Sequence, residues 1–442
     1  MARILITSWG SYGDVYPYVG LALALKARGH RPAIAMPEFY RPLVEGLGFS
    51  FHAVGPMIDP DDRATIARVL DPVRGADALL KGILMRSVRS DYAALDAAAH
   101  DADLIVTHPI TFAAPVVAQA RALPWVSSVL APMSFFSATD IPVLAPAPYL
   151  AHLGRLGPWY GRLMARFART RTRRWMKPVF DLRRELGLPA GEHPLFEGQF
   201  SPALTLALFS RVLASPQPDW PPNVCVTGSV FYNGPDVLPP ELDAFLNAGA
   251  PPVVFTLGTS AVCAAGTFYD ESVKAARRLG VRAVLLTGGF EQNRPRGTLP
   301  GDILLVDRAP HQLLFPRAAA VVHQGGAGTL AQALRSGRPM LVVPHAHDQP
   351  DNASRVTRLG VARTVRPGSY RGARVARELS RLLSDQTMRA RASEVAGIVR
   401  SEGGADAAAS AIEEVLCANL WPGNANGSTR FSHVKQKEML DE

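Results

Sequence analysis

The chain has 442 residues and 48% hydrophobic side chains, enough for two comparable domains with a core in each. Its three cysteines, Cys225, Cys263 and Cys417, form no C-x-x-C pair, which argues against a zinc framework or a disulfide scaffold and fits a reducing cytosol. The formal net charge is +9, but the stretch from Arg155 to Arg184 supplies all of it, with nine arginines and Lys177 against Asp181; the neutral remainder argues against a nucleic-acid-binding protein.

The apolar run at residues 3–7 leads straight into a turn, Ser8-Trp9-Gly10-Ser11-Tyr12-Gly13-Asp14, and reads as a first strand, not a signal peptide. A helix is predicted over 17–28, where Val19, Leu21, Ala22, Leu23 and Leu25 suit packing on a sheet, and a second strand over 32–36. This βαβ opening predicts a parallel, right-handed, doubly wound α/β domain. Residues 55–95 read as helices and mobile loops around a cleft. Strands are predicted at 103–107, leading to His108, and at 125–129, leading to Ala131-Pro132-Met133-Ser134-Phe135-Phe136. The uncharged run 122–139 is broken by Pro124 and Pro132 and makes a poor membrane span, so a soluble, cytoplasmic protein is expected.

Arg162, Arg166, Arg169 and Arg173 follow helical spacing, with Trp159, Leu163 and Phe167 on a neighbouring face. Two readings stand: a solvated helix face, or a patch drawn to anionic headgroups at the inner membrane face or to an acidic acceptor. Strands at 203–209 and 224–230 close the first domain, residues 1–233. The proline-rich residues 234–250 are predicted as a linker to a second domain, 251–400. That domain begins with a strand at 252–257 and the turn Gly258-Thr259-Ser260, and continues with strands at 283–287 and 303–306.

Residues 305–352 hold the most informative stretch. A strand at 318–322 ends in His323, the glycines Gly325, Gly326 and Gly328 follow, and Thr329 opens a short helix that stops near Gly337. Glycines let a backbone approach a phosphate, while free N–H groups and the positive end of the helix dipole face it. The order strand, turn, helix predicts a pyrophosphate seat, with His323 placed to donate to a phosphate oxygen. A second strand, 340–343, delivers Asp348 and Gln349, an acceptor and an amide suited to sugar hydroxyls. The ligand implied carries both a diphosphate and a sugar. Residues 370–400 read as helical, and an Ala-rich amphipathic helix at 406–418 places residues 401–420 back against the first domain. Residues 421–442 lack periodicity and read as a disordered tail, in which the sequon Asn426-Gly427-Ser428 is incidental.

On these residues the chain resembles, over about residues 1–420, the family 1 nucleotide-sugar glycosyltransferases. It is most similar to the bacterial members that include sterol, macrolide and glycopeptide glycosyltransferases and the rhamnosyltransferase that adds the second sugar of rhamnolipids. The resemblance implies the GT-B fold, two Rossmann-like doubly wound domains facing across a cleft, the first binding acceptor and the second the nucleotide sugar. It implies that His323 and the backbone at Gly325, Gly326, Gly328 and Thr329 hold the diphosphate, with Ser260 as a further contact. It assigns Asp348 and Gln349 to the sugar, and Ala309, Pro310, His311 and Gln312 to the base and ribose.

The expected reaction is inverting transfer of a hexose from a UDP- or dTDP-sugar to a hydroxyl of an apolar small molecule or lipid, in secondary-metabolite or glycolipid synthesis. The nucleotide sugar is a co-substrate, and no cofactor or metal is expected. Asp59-Pro60-Asp61 matches the D-x-D of metal-dependent transferases only superficially. Inversion requires a base on the sugar face opposite the diphosphate, hence from the first domain. Many family members carry a Gly-His pair there, whereas Gly13-Asp14 matches the Gly-Asp-Val variant of bacterial members, so Asp14 is the expected base. Asp14 also suits a helix cap. A second arrangement makes His108 the base with Asp14 orienting it, or leaves His108 to bind acceptor. The alternative activity is a non-hydrolysing nucleotide-sugar epimerase, which needs carboxylates converging on the sugar. A dinucleotide oxidoreductase lacks its full G-x-G-x-x-G, and a catalytically dead binding module has no need of Asp14.

Overall fold

The computed structural model describes residues 1–59, 62–234 and 236–418. Among these, two parallel sheets form. The first holds β1 (Arg3–Thr7), β2 (Arg31–Met36), β3 (Ser50–Ala53), β4 (Leu104–Thr107), β5 (Trp125–Val129), β6 (Thr205–Ala207) and β7 (Val224–Val226), in the order β3-β2-β1-β4-β5-β6-β7. The second holds β8 (Val253–Thr256), β9 (Ala283–Leu286), β10 (Ile303–Val306), β11 (Ala320–His323), β12 (Met340–Val342) and β13 (Ala362–Thr364), in the order β10-β9-β8-β11-β12-β13. Each sheet starts at its middle, winds to one edge, then returns to the other side. The direction therefore reverses between β1 and β4, and again between β8 and β11. In such sheets ligands bind beyond the carboxyl ends of the strands at the reversal, which selects four loops of this chain before any side chain is considered.

The strands are short apolar runs buried on both faces, as parallel strands must be. Period-two alternation sends their side chains to separate cores. Ile4 and Ile6 meet Val15, Val19 and Leu25 of α1 (Tyr12–Ala27), while Leu5, Ile105 and Trp125 face Val88 and Val117 on the other side. In the second domain Phe255, Leu285 and Val322 pack with Val375 and Leu379, and Val254, Val284 and Val321 with Leu330 and Leu334. Three further helices matter below: α2 (Pro158–Arg173), α3 (Ala327–Ser336) and α4 (Gln349–Arg358). The last, α5 (Gly404–Cys417), returns to the first domain, where Ala408, Ala409, Ile412 and Val415 join the core beneath α1. Arg28 and His30 hold it there through Glu413, at 2.8 and 3.1 Å.

Several boundaries differ from the sequence expectation for identifiable reasons. Helix α1 begins at Tyr12, five residues before Pro17, because Ser11 and Asp14 form a capping box that starts the helix earlier. Pro17 then lies inside it, and its missing N–H releases the Gly13 carbonyl from the helix ladder. Residues 234–250 are not a bare connection: Pro240–Asn247 is a helix whose Leu242 and Leu246 belong to the core of the second domain. The stretch read as helices and loops contains the helices Arg63–Val69, Gly75–Leu79 and Met85–Ala98. Ile66 of the first of these packs into the second domain's core with Ala261 and Val262. Phe135, in the loop after β5, is core, stacked on Trp220 at 4.0 Å. Pro60 and Asp61 of the D-x-D stretch, and residues 419–442 with the expected tail and its sequon, lie outside the described residues.

Candidate active site

The loop after β1 is built around glycine. Gly10 has φ +133°, and a Cβ there would press on the Asp14 carboxyl, 2.7 Å from its Cγ. That room lets the Asp14 Oδ2 accept the Ser11 N–H at 2.8 Å and the Ser11 hydroxyl at 3.0 Å, so Asp14 does cap the helix. Both bonds land on one oxygen. Burial raises the Asp14 carboxyl above the usual carboxylate range, against the lowering effect of the Ser11 bonds.

His108, in the loop after β4, is buried. Its Nδ1 accepts the Ile110 N–H at 3.3 Å, so its proton is on Nε2, and Tyr18 of α1 packs edge-on against the ring at 5.5 Å. Burial pushes this imidazole down to about 3. Among the described residues Asp14 and His108 share no hydrogen bond: Oδ2 of Asp14 is turned to Ser11 and Nδ1 of His108 to its own loop.

Across the cleft, the turn after β11 presents the donor-side candidates. His323 is fully buried at the strand end, and its Nδ1 accepts the Gly325 N–H at 3.1 Å. The ring proton therefore sits on Nε2, a buried donor with no partner among the described residues. Burial, then the neighbouring His311, push His323 down to about 3, so the ring is neutral. Gly325 has φ +88°, and a Cβ there would come within 2.9 Å of Val342. Gly326 is the N-cap of α3 with no side-chain cap, and the first helical bond runs from Leu330 N–H to the Gly326 carbonyl. The N–H groups of Ala327, Gly328 and Thr329 are left to whatever lies beyond the helix end. Thr329 is buried, its Oγ1 facing the Gln324 amide at 3.5 Å.

The remaining donor-side residues border this turn. Gly258 has φ +64° and lies directly against the Gln324 amide, with Ser260 half-buried beside it at the head of a short turn, Ala261–Ala264. His311 stacks on Phe315 at 4.3 Å, and burial lowers it to about 4. Pro310 caps the short helix His311–Leu314, Ala309 leans on the core, and Gln312 donates its amide to the Asn233 carbonyl of the connection between the domains at 2.8 Å.

On the sugar side, Gln349 commits its Oε1 to the N–H groups of His345 and Ala346, at 2.8 and 3.3 Å, which leaves the Nε2 amide to a ligand. Asp348 stands at the head of α4 and accepts the Asn352 amide at 2.7 Å. Its carboxyl is pushed up to about 7, by burial first and by the charge of Asp14 second. Asp14, from the other domain, is thus near enough for its charge to act on Asp348. The domains meet beside them at two glycines, where a Cβ on Gly328 would come within 2.8 Å of the Gly13 Cα. Thus Asp14, the α3 N-terminus, His323 and Asp348 are brought together, and His108 stands buried in the neighbouring loop after β4, with Tyr18 against its ring.

Sequence reasoning missed three residues. Asn352 binds both the Gly325 carbonyl, at 2.9 Å, and Asp348, so one amide fixes the phosphate turn and the sugar-side acid together. Asp351 and Arg355 form a buried pair at 2.7 Å that crosses to the first domain, where Arg355 meets Asp140 at 2.5 Å and Asp351 accepts the Val143 N–H at 3.0 Å. The signal was present: Asp348/Asn352 and Asp351/Arg355 are both i, i+4 pairs on one helix. Among the described residues no group of three or more His, Cys, Asp or Glu is arranged to hold a metal ion.

Residues 283–415 match the family described as Erythromycin biosynthesis protein CIII-like, C-terminal domain. Over 423 residues the chain is 35% identical to O-mycaminosyltylonolide 6-deoxyallosyltransferase of Streptomyces fradiae, which covers 93% of this chain and 97% of that one. Over 416 residues it is 30% identical to glycosyltransferase GtfE of Amycolatopsis orientalis, covering 92% and 96%. Among solved structures, the spinosyn rhamnosyltransferase SpnG complexed with thymidine diphosphate superposes with a TM-score of 0.67 at 18% identity, over 93% of this chain and all of that one. That last likeness is one of fold.

Proposed function

The chain belongs to the GT-B nucleotide-sugar glycosyltransferases of secondary-metabolite type, and from that premise we propose an inverting, metal-independent transfer of a hexose to a hydroxyl of an apolar small-molecule acceptor. The observation that carries the proposal is the unpartnered Nε2–H of His323 beside the free N–H groups of α3, opposite Asp14 across the Gly13–Gly328 contact.

The donor's diphosphate lies against that helix end. Backbone N–H groups, the helix dipole and the His323 Nε2–H take up the charge that grows on the leaving oxygen as the bond to the sugar breaks. Asp348 and the Gln349 amide hold the sugar hydroxyls, and His311 and Gln312 border the nucleoside. The acceptor hydroxyl approaches from the first domain and forms its bond to the anomeric carbon as the diphosphate departs. Its proton passes to Asp14 Oδ1, the oxygen not engaged by Ser11. A carboxyl raised above the usual carboxylate range is a better base than an ordinary aspartate. Deoxythymidine diphosphate is favoured over uridine diphosphate in the donor, because the 35% identical relative is named for a 6-deoxysugar and the SpnG structure holds thymidine diphosphate. The relatives lend no support to an epimerase.

The test has two arms. A panel of dTDP- and UDP-hexoses is ranked by the rise in melting temperature each produces, since a ligand bound only by the folded state raises it. With the best donor and a panel of hydroxylated macrolactones and polyketides, Asp14→Asn is expected to bind nucleotide normally and lose about 10²–10⁴-fold in rate. If it keeps most of its rate, Asp14 is a helix cap only.

A further inference from the structure

Helix α2 carries a face that the transfer reaction does not use. Of the twelve large hydrophobic side chains exposed among the described residues, six fall consecutively in this region: Tyr149, Leu153, Leu156, Trp159, Leu163 and Phe167. Trp159, Leu163 and Phe167, spaced i, i+4, i+8, lie on one outward strip and are 54%, 55% and 65% exposed. The strip cannot roll inward. On the opposite face Tyr160 is buried, and Gly161 lies against the backbone of Ala138 so closely that a Cβ there would come within 2.6 Å of the Ala138 Cα. The apolar cavity left on that inner side, lined by Ile141, Leu144 and Met164, is only about 30 Å³, roughly one water molecule.

Arginine flanks the strip. Arg169 is tied to Glu197, and Lys177 and Arg184 share Asp181. Arg155, Arg162, Arg166 and Arg174 take part in none of the ion pairs found among the described residues and stand exposed. A second copy of the same face would set arginine against arginine, so self-association is disfavoured. No helix among the described residues is long and apolar enough to cross a membrane. An apolar strip ended by aromatic rings and bordered by unpaired arginines fits a surface that is apolar just below and anionic above. We propose that α2, with residues 149–156 before it, docks in the plane of an anionic bilayer, with Trp159, Leu163 and Phe167 entering the headgroup boundary and Arg162 and Arg166 meeting lipid phosphates. The proposal rests on this surface alone and does not depend on the sugar acceptor.

The test is flotation of the full chain with vesicles of phosphatidylcholine alone and of phosphatidylcholine mixed with phosphatidylglycerol, at low and high salt. The protein is expected to float with the anionic vesicles at low salt and to leave them as salt rises. Trp159→Ser/Phe167→Ser and Arg162→Glu/Arg166→Glu should each lower the bound fraction at least about tenfold, with melting temperature and nucleotide binding unchanged. Equal binding to neutral vesicles, or wild-type binding by both variants, overturns the proposal. So does a face that retains poly-glutamate but no vesicle, which assigns it to an acidic protein, or a dimer in solution abolished by Trp159→Ser/Phe167→Ser.

Discussion

Asp348→Asn tests whether the crevice is as electrostatically closed as its geometry indicates. The Asp348 carboxyl is pushed up to about 7 in the folded protein, against ~3.9 for an ordinary aspartate. The folded state therefore binds this proton more tightly than the unfolded state, and stability falls as pH rises from about 4 to about 7 and is level beyond. Three units at ~1.36 kcal/mol each give a ceiling of about 4 kcal/mol, which asparagine, unable to ionise, does not lose. Asparagine keeps the bond to Asn352 through its own carbonyl, and removing the charge from the head of α4 costs back about 0.3–1 kcal/mol. For a unit the size of one of these domains, ~1 kcal/mol is about 2–4 °C in melting temperature. Ligand-free Asp348→Asn should thus melt several degrees above the wild type at pH 8 and level with it at pH 5, by calorimetry. Because the Asp14 charge is the second cause of the shift, Asp14→Asn should move the wild-type transition to lower pH. A stability difference that is the same at both pH values would show that Asp348 is solvated and the reasoning wrong.

His323→Ala removes one donor to a charged oxygen, worth about 1.5–3 kcal/mol, so nucleoside diphosphate should bind about 10–100-fold more weakly by calorimetric titration. On the proposed role of Asp14 as base, the acid limb of kcat/KM should lie above the usual carboxylate range; an acid limb near pH ~4 would contradict that role or the effect of its burial. Arg355→Leu leaves Asp351 buried without its partner and should cost about 3–5 kcal/mol in urea denaturation. Gly328→Ala forces the two domains apart at Gly13 and should lower kcat by up to about 10²-fold while nucleotide still binds.

The strands and the phosphate turn were legible because they are governed locally. Parallel strands read as apolar runs, and Gly325 and Gly326 follow a strand and precede a helix, an order few other structures need. The start of α1 was misplaced because a proline draws attention as a breaker, whereas Ser11 and Asp14, three apart, carried the true start signal. The helix Pro240–Asn247 was hidden by the prolines in front of it, although Leu242 and Leu246 already have helical spacing. Contacts between domains were not legible. Neither Asp140 nor Arg355 announces a partner 215 residues away, and Ile66 looks like any surface-helix isoleucine until the second domain's core is seen to receive it. Likewise only the structure shows Tyr18 against the His108 ring and its Nδ1 taking the Ile110 N–H.

Gly13 and Gly328 bring two helices together by their amino ends, α1 from one domain and α3 from the other. Each end carries roughly half a positive charge, so like poles face each other across the crevice. An anion between them is stabilised by both, which favours diphosphate binding where the domains close. The same crevice holds Asp14 and Asp348, whose charges would oppose that anion if both were ionised. Burial keeps their protons on until higher pH than usual. On the proposed roles, anion binding favours the protonated state of both carboxyls, whereas base catalysis by Asp14 needs it ionised. Enclosure raises both carboxyls, and that of Asp348 is pushed up to about 7. On the proposed role of Asp14, enclosure is what makes it a stronger base than an exposed aspartate.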